Sequence, residues 1–137
     1  SAAEVMRLAL ADAGIAPEAV TYINAHGTGT ITNDVTETEA VRKVFGSHAD
    51  VLAMSSTKSM HGHALGGVSA LELVATLLAI QHDFLPPTVN WKGPDPLCDI
   101  DCVPNASRPA EIGIALSNSF AFGGLNSVLC ITNPDYN

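Results

Sequence analysis

An α/β fold is predicted for this chain: a mostly parallel sheet, closed by an antiparallel pair of strands, with helices packed on it. Three observations carry that prediction. Short runs of strand character at residues 20–25 and 51–56 alternate with stretches of helical periodicity, the order that builds parallel layers. Two further strand-like runs, 112–117 and 127–132, follow one another with only a glycine-containing loop between them, as an antiparallel pair requires. Finally, 137 residues that are 47% hydrophobic and 15% charged suffice for one domain with its own core.

Taken in order, residues 3–13 read as a helix with Val5, Leu8, Ala9 and Ala13 along one side and Gly14 as its stop. Residues 20–25 make the first strand, which ends at His26. Asn33 is the expected cap of a second helix. Glu37 and Glu39 lie early in it and Arg42 and Lys43 late, as the helix dipole prefers. Ala40, Val41, Val44 and Phe45 supply its buried face and Gly46 ends it, before the second strand at 51–56. A third helix starts between His63 and Gly66 and runs to about Gln81; apolar nearly all round, it calls for cover on both faces. Residues 85–96 are turn-rich and irregular, with Pro86-Pro87 and Gly93-Pro94. The last two strands, 112–117 and 127–132, flank a loop at 118–126, and no repeat or internal linker interrupts the chain.

Charge and cysteine content exclude several roles. The formal net charge is -8 and the six basic residues form no long run, so neither a nucleic-acid surface nor binding to an anionic membrane is expected. Three cysteines are too few, and odd in number, for a disulfide framework. The most apolar run, 64–80, is interrupted by Glu72 and reads as a core helix with no membrane insertion. No leader pattern opens the chain, so a cytoplasmic location is the expectation.

Chemistry concentrates just past the first two strands. His26 opens the run His26-Gly27-Thr28-Gly29-Thr30, whose glycines allow close approach of backbone and ligand. Taken alone, a turn histidine with no role explains it equally well. Glu72 is the only ionisable group between His63 and His82, and an unpaired buried carboxylate would cost on the order of several kcal/mol or take up a proton. Lys58 is the nearest cation in sequence, so a Lys58–Glu72 ion pair is expected, the alternative being an exposed stripe for Glu72. His63 falls at or near the N-terminus of the same helix, where the positive helix end favours a neutral ring able to polarise a carbonyl. Ligands collect at the carboxyl edge of parallel layers, which would bring His26, Lys58 and His63 together. The final loop holds Phe120, Ala121, Phe122, Gly123 and Gly124. It is either a tight turn with both phenylalanines in the core, or a backbone N–H aimed at a developing oxyanion with Phe122 as a movable gate. His26, His48, His61 and His63 offer imidazoles, but no Cys or Asp spacing fits a zinc pattern, so no metal is expected. A serine-hydrolase elbow is missing too, since Gly67-Val68-Ser69-Ala70-Leu71 lacks the last glycine.

Four motifs, in this order, resemble the C-terminal half of the β-ketoacyl-acyl-carrier-protein synthases, the condensing enzymes of fatty-acid and polyketide assembly. They are Asn24-Ala25-His26-Gly27-Thr28-Gly29-Thr30, Ser56-Thr57-Lys58-Ser59-Met60-His61-Gly62-His63, Pro86-Pro87-Thr88-Val89-Asn90, and the loop 118–126. The resemblance implies that residues 1–137 are the second half of a thiolase-like fold, normally a homodimer, with the nucleophilic cysteine on an N-terminal half outside this chain. It implies transfer of an acyl group from acyl carrier protein or coenzyme A to that cysteine, then decarboxylation of malonyl-carrier protein and a Claisen condensation, with no cofactor. By match of motif, His26 and His63 would assist decarboxylation and stabilise the enolate. Lys58, held by Glu72, would organise the site. Phe122 and Gly123 would form the oxyanion hole and gate, and Phe120 and Ala121 the acyl-pocket loop. Cys98, Cys102 and Cys130 start no helix, the setting that would acidify a thiol, so this chain alone is expected not to condense. A basic docking patch for an acidic carrier protein is expected outside this chain. Two other readings stay open: a non-condensing partner subunit of the chain-length-factor kind, and a binding module of the same fold. His61 stands where the family usually has threonine, and Ser69 and Ala121 where it has glycine. Those departures leave fatty-acid, polyketide and specialised nodulation-type substrates all in play.

Overall fold

The computed structural model describes residues 1–136. The chain runs α1 (Ala2–Ala13), β1 (Tyr22–Asn24), α2 (Ile31–Phe45), β2 (Ala53–Ser55), a one-turn α3 (Lys58–His61), α4 (Val68–His82), β3 (Phe84–Leu85), β4 (Arg108–Pro109), β5 (Ile114–Phe120) and β6 (Asn126–Thr132). Four strands make one sheet in the order β2-β1-β5-β6. β1 is parallel to both neighbours and β5 is antiparallel to β6, the mixed sheet that the sequence predicts. The antiparallel β3–β4 pair carries no sequence signal, because two residues per strand are too few to show alternation.

Alternation along the strands divides the core in two. Ile23 and its partner Leu116 point to the face covered by α1 and α2, where Met6, Leu10, Val41 and Phe45 are buried with them. Tyr22, Ala53 and Ala115 point the other way and pack with Ala79 of α4 and Ile112. The same parity places Asn24 beneath α4 and Asn118 beneath α1 and α2, where each finds hydrogen-bond partners.

Four expectations change. α1 buries Ala3, Met6 and Leu10 and leaves Leu8 60% exposed, because apolar residues on nearly every side satisfy helical spacing twice over and packing against the sheet selects one stripe. Thr30, not Asn33, caps α2: its hydroxyl accepts from the Asn33 N–H at 3.4 Å, which puts Asn33 inside the first turn. The loop expected at 118–126 contracts to 121–125, since Asn118 and Ser119 pair with Val128 and Ser127. α4 turns Val68, Glu72, Thr76 and Ala79 inward but leaves Leu71, Val74, Leu77 and Leu78 exposed, so the cover expected on both faces is not supplied by the described residues. Counted from Leu65, this helix is long and apolar enough to cross a membrane by length and composition alone. Its inward face, however, is bonded through Glu72 and Thr76 to the groups at the sheet edge, as a core helix is.

The two sides of the sheet make different demands on stability. Leu116→Ala, at a site with no exposure, should cost about 2–5 kcal/mol. Leu77→Ala, on the open stripe of α4, should stay within about 0.5 kcal/mol. Urea unfolding of the chain reads both, and equal losses would mean that the stripe is covered in solution.

Candidate active site

β1, β2 and β5 are parallel, so their carboxyl ends share one edge of the sheet. His26 follows β1, Lys58 opens α3 just after β2, and Phe120 ends β5. The first two segments cross closely. A Cβ on Gly27 would fall 2.5 Å from the Ser56 Cβ, and Gly27 has a φ of +44°, so only glycine fits. The Ser56 hydroxyl donates to the Gly27 carbonyl at 2.6 Å and closes the crossing.

His26 is held through its own backbone. Its N–H donates to Glu37 Oε1 at 2.9 Å, and the next N–H, of Gly27, to Glu37 Oε2 at 2.9 Å. Its carbonyl accepts from Lys58 Nζ at 2.6 Å, and Lys58 in turn forms an ion pair with Glu72. The expected pair therefore forms, and it is buried: the side chains are 5% and 0% exposed. Asn118 and Asn33 add amide N–H groups to Glu37 at 3.0 and 3.4 Å. Burial raises the Glu72 carboxyl above its ordinary range and Lys58 opposes that rise. Burial likewise raises Glu37, and its four donated N–H groups pull the other way.

Below this clamp, Asn24 Nδ2 donates to Thr57 Oγ1 and Thr76 Oγ1, each at 3.2 Å, and to the Glu72 carbonyl at 3.4 Å. That one amide ties the residue before Lys58 to the helical turn that carries Glu72.

The rings of His26 and His63 meet edge-on with centroids 5.9 Å apart, and Phe120 lies 5.6 Å from His26. Burial, then the charges of Lys58 and His63, push the His26 ring down to about 4, so it is uncharged at neutral pH. Its Nδ1 is buried without a partner among the described residues. His63 Nδ1 accepts from the Leu65 N–H at 3.1 Å, which leaves Nε2 to carry the hydrogen of the neutral ring. His63 is exposed and lies ahead of the 3-10 turn Leu65–Gly67, so this hydrogen bond, rather than the end of the long helix, sets its tautomer. A cleft of about 660 Å³ is lined by Lys58 and His63 together with Val35, Trp91 and Leu97.

His26, Lys58, His63, Glu72 and Phe120 are thus brought together. Ala121, Phe122 and Gly123 are not: they form the β5–β6 turn, where Phe122 is fully exposed and Gly123 and Gly124 take φ of +76° and +79°. The tight turn between the two strands is there, but neither phenylalanine is in the core: Phe122 is fully exposed, and Phe120 is half-buried with its ring against His26. Cys98, Cys102 and Cys130 are free thiols raised by burial. Sequence reasoning missed Glu37 as a site residue and treated it as an acid suited to the helix dipole. Its spacing to Ala40 and Val41, three and four residues on, is the signal that it shares their buried face.

Residues 1–92 match the sequence profile described as "Beta-ketoacyl synthase, C-terminal domain". The chain belongs to that family. It is 56% identical over 124 residues to nodulation protein E of a Rhizobium species, covering 90% of this chain and 31% of that protein. It is 57% identical over 121 residues to 3-oxoacyl-[acyl-carrier-protein] synthase 2 of Synechocystis, covering 88% of this chain and 29% of that one. Among solved structures it is similar to the AntDE:AntF complex, a type II polyketide acyl-carrier protein with its ketosynthase bound to the hexaketide. That match has a TM-score of 0.96 at 41% identity over 98% of this chain and 33% of the other. A β-ketoacyl synthase from Burkholderia phymatum superposes with a TM-score of 0.89 at 38% identity, over 96% of this chain and 32% of that one. The α/β sheet is therefore that of the C-terminal half of a ketosynthase, and the chain spans about 31% of the nodulation protein's length.

Two tests follow for this ketosynthase domain. Glu72→Gln leaves Lys58 buried beside no countercharge and should cost about 3–5 kcal/mol, part of it regained in Lys58→Met/Glu72→Leu, where the His26 carbonyl still loses its donor. A double variant no more stable than the single one would contradict a buried pair. The second test concerns pH. An unfolded histidine takes its proton near 6.5 and His26 in the native state near 4, so the unfolded state binds more protons between them. The stability from a neutral His26 is complete above that window and is lost as pH falls through it. An NMR titration should place the His26 midpoint near 4, and a midpoint at the ordinary value would contradict its burial.

Proposed function

We propose that this chain, residues 1–137, works as the C-terminal portion of a β-ketoacyl-acyl-carrier-protein synthase, a cytoplasmic homodimer in its complete form. Its task is to extend an acyl thioester by decarboxylative Claisen condensation with malonyl-carrier protein. The observation that carries the proposal is the convergence of His26 and His63 at one sheet edge, with the His26 backbone fixed by Lys58 and Glu37. In the proposed reaction the C–C bond to the malonyl carboxylate breaks, carbon dioxide leaves, and the electron pair moves onto the thioester oxygen. Two neutral imidazole N–H groups suit that oxyanion, because they donate without taking a full charge. His63 offers Nε2–H, and His26 offers the same atom when its buried Nδ1 is the unpaired acceptor. The resulting carbanion attacks the acyl thioester carbonyl, and the cysteine thiolate is expelled. Phe122 and Gly123 would supply backbone N–H to that second oxyanion and gate the site, with Phe120 and Ala121 lining the acyl path. The nucleophilic cysteine would come from the N-terminal part of the complete enzyme, since burial holds the three thiols here in their unreactive protonated form. Acyl- and malonyl-loaded carrier protein would be the partners.

A second reading, a partner subunit that does not condense, draws support from the similarity to the ishigamide ketosynthase/chain length factor, with a TM-score of 0.93 at 44% identity. One experiment separates the two. The chain replaces its counterpart in the Synechocystis synthase, and the purified chimera, checked for fold and mass, is given an acyl donor and labelled malonyl-carrier protein. Condensation that is lost in His63→Ala is the expected result. Release of carbon dioxide without chain extension would favour the partner subunit, and a folded chimera that does neither would overturn the condensing reading.

A further inference from the structure

Thr57 is fully buried and directly precedes Lys58. Its hydroxyl meets Asn24 Nδ2 at 3.2 Å, Asn24 Oδ1 at 3.4 Å and His61 Nε2 at 3.2 Å. His61 lies one turn further on, exposed to solvent, with its Nδ1 2.8 Å from the Gly62 carbonyl. A carbonyl only accepts, so Nδ1 carries a hydrogen and Nε2 of the neutral ring is a bare acceptor. Thr57 then accepts from the Asn24 amide and gives its single hydrogen to His61. A proton added to His61 puts an N–H on Nε2, aimed at the same hydroxyl. Thr57 must then turn its hydrogen towards Asn24 Oδ1. The Asn24 amide also holds Thr76 Oγ1 and the Glu72 carbonyl, so one proton at the surface changes the hydrogen bonding of an amide that lies beneath both members of the Lys58–Glu72 pair.

We infer that His61 is a positioning residue: through Thr57 and Asn24 it sets the turn that carries Lys58 and the helical turn that carries Glu72. The inference deepens the condensing-site reading and rests on it for its catalytic consequence, because that site is built on this pair. Of the titratable groups near His61, Glu72 on α4 is close enough to feel its charge, Lys58 lies three residues earlier on the same turn and His63 two residues later. Lys58 and Glu72 are bonded to each other, so their charges largely offset at His61. Threonine, usual here in the motif that this chain resembles, can neither span to Gly62 and Thr57 at once through a ring nor take up a proton.

The test is an NMR pH titration of the chain that follows the His61 ring nitrogens and the Asn24 side-chain amide together. In the wild type the Asn24 amide should move with the His61 midpoint. In His61→Gln, which keeps a polar amide but cannot titrate, it should be flat over the same range while amide dispersion stays native. His61→Thr replaces the Gln variant if that one fails to fold. An Asn24 amide indifferent to the His61 titration, or a response that survives in the folded variant, overturns the inference. Turnover is read separately. In the chimera described above, His61→Gln should remove the limb of the decarboxylation pH profile centred on the His61 midpoint. A wild-type chimera without turnover would count against the condensing reading, and the NMR result would still decide the role of His61.

Discussion

The site is organised around the peptide groups of His26. On one side a carboxylate, Glu37, accepts its N–H; on the other an ammonium, Lys58, donates to its carbonyl. Each buried charge has the sign that its side of the peptide calls for, which makes both contacts charge-assisted. Glu72 then neutralises Lys58, while Gly27, Asn33 and Asn118 share the charge of Glu37. Without these partners, three ionised groups at this depth would be too costly to retain.

The fold exists to deliver those partners to one place. Glu37 comes from α2, Lys58 from α3 and Glu72 from α4, while His26 comes from the end of the central strand β1. Parity along β1 governs the rest. Ile23 locks onto Leu116 in the core under α1 and α2, which forces Tyr22 and Asn24 towards α4. A slip of one residue would send Asn24 to the wrong layer and break its bonds to Thr57, Thr76 and Glu72. Function and register are in this sense the same constraint.

How much of this is visible without coordinates depends on how local the signal is. The Lys58–Glu72 pair is legible because a lone carboxylate in an apolar helix demands a cation and only one is near in sequence. The sheet is legible because its helices and strands alternate in period. Glu37 is hidden, since an acid early in a helix already has an adequate explanation in the dipole, and all of its partners but Asn33 are distant: Gly27, His26 and Asn118 lie 10, 11 and 81 residues away. The stripe on α1 was ambiguous for want of contrast among its alanines and leucines. Phe122 shows the opposite limit: the motif singles it out, yet among the described residues nothing packs against it.

The most direct measurement is made on the Lys58 ammonium itself. Nitrogen-15 NMR of the chain should show a slowly exchanging Lys58 ammonium, with hydrogen-bond couplings to the His26 carbonyl carbon and the Glu72 carboxyl carbon. Such a spectrum would mean that one buried cation joins β1 to α4. A rapidly exchanging ammonium with neither coupling would contradict the account, because His26 would then be placed by something other than the clamp.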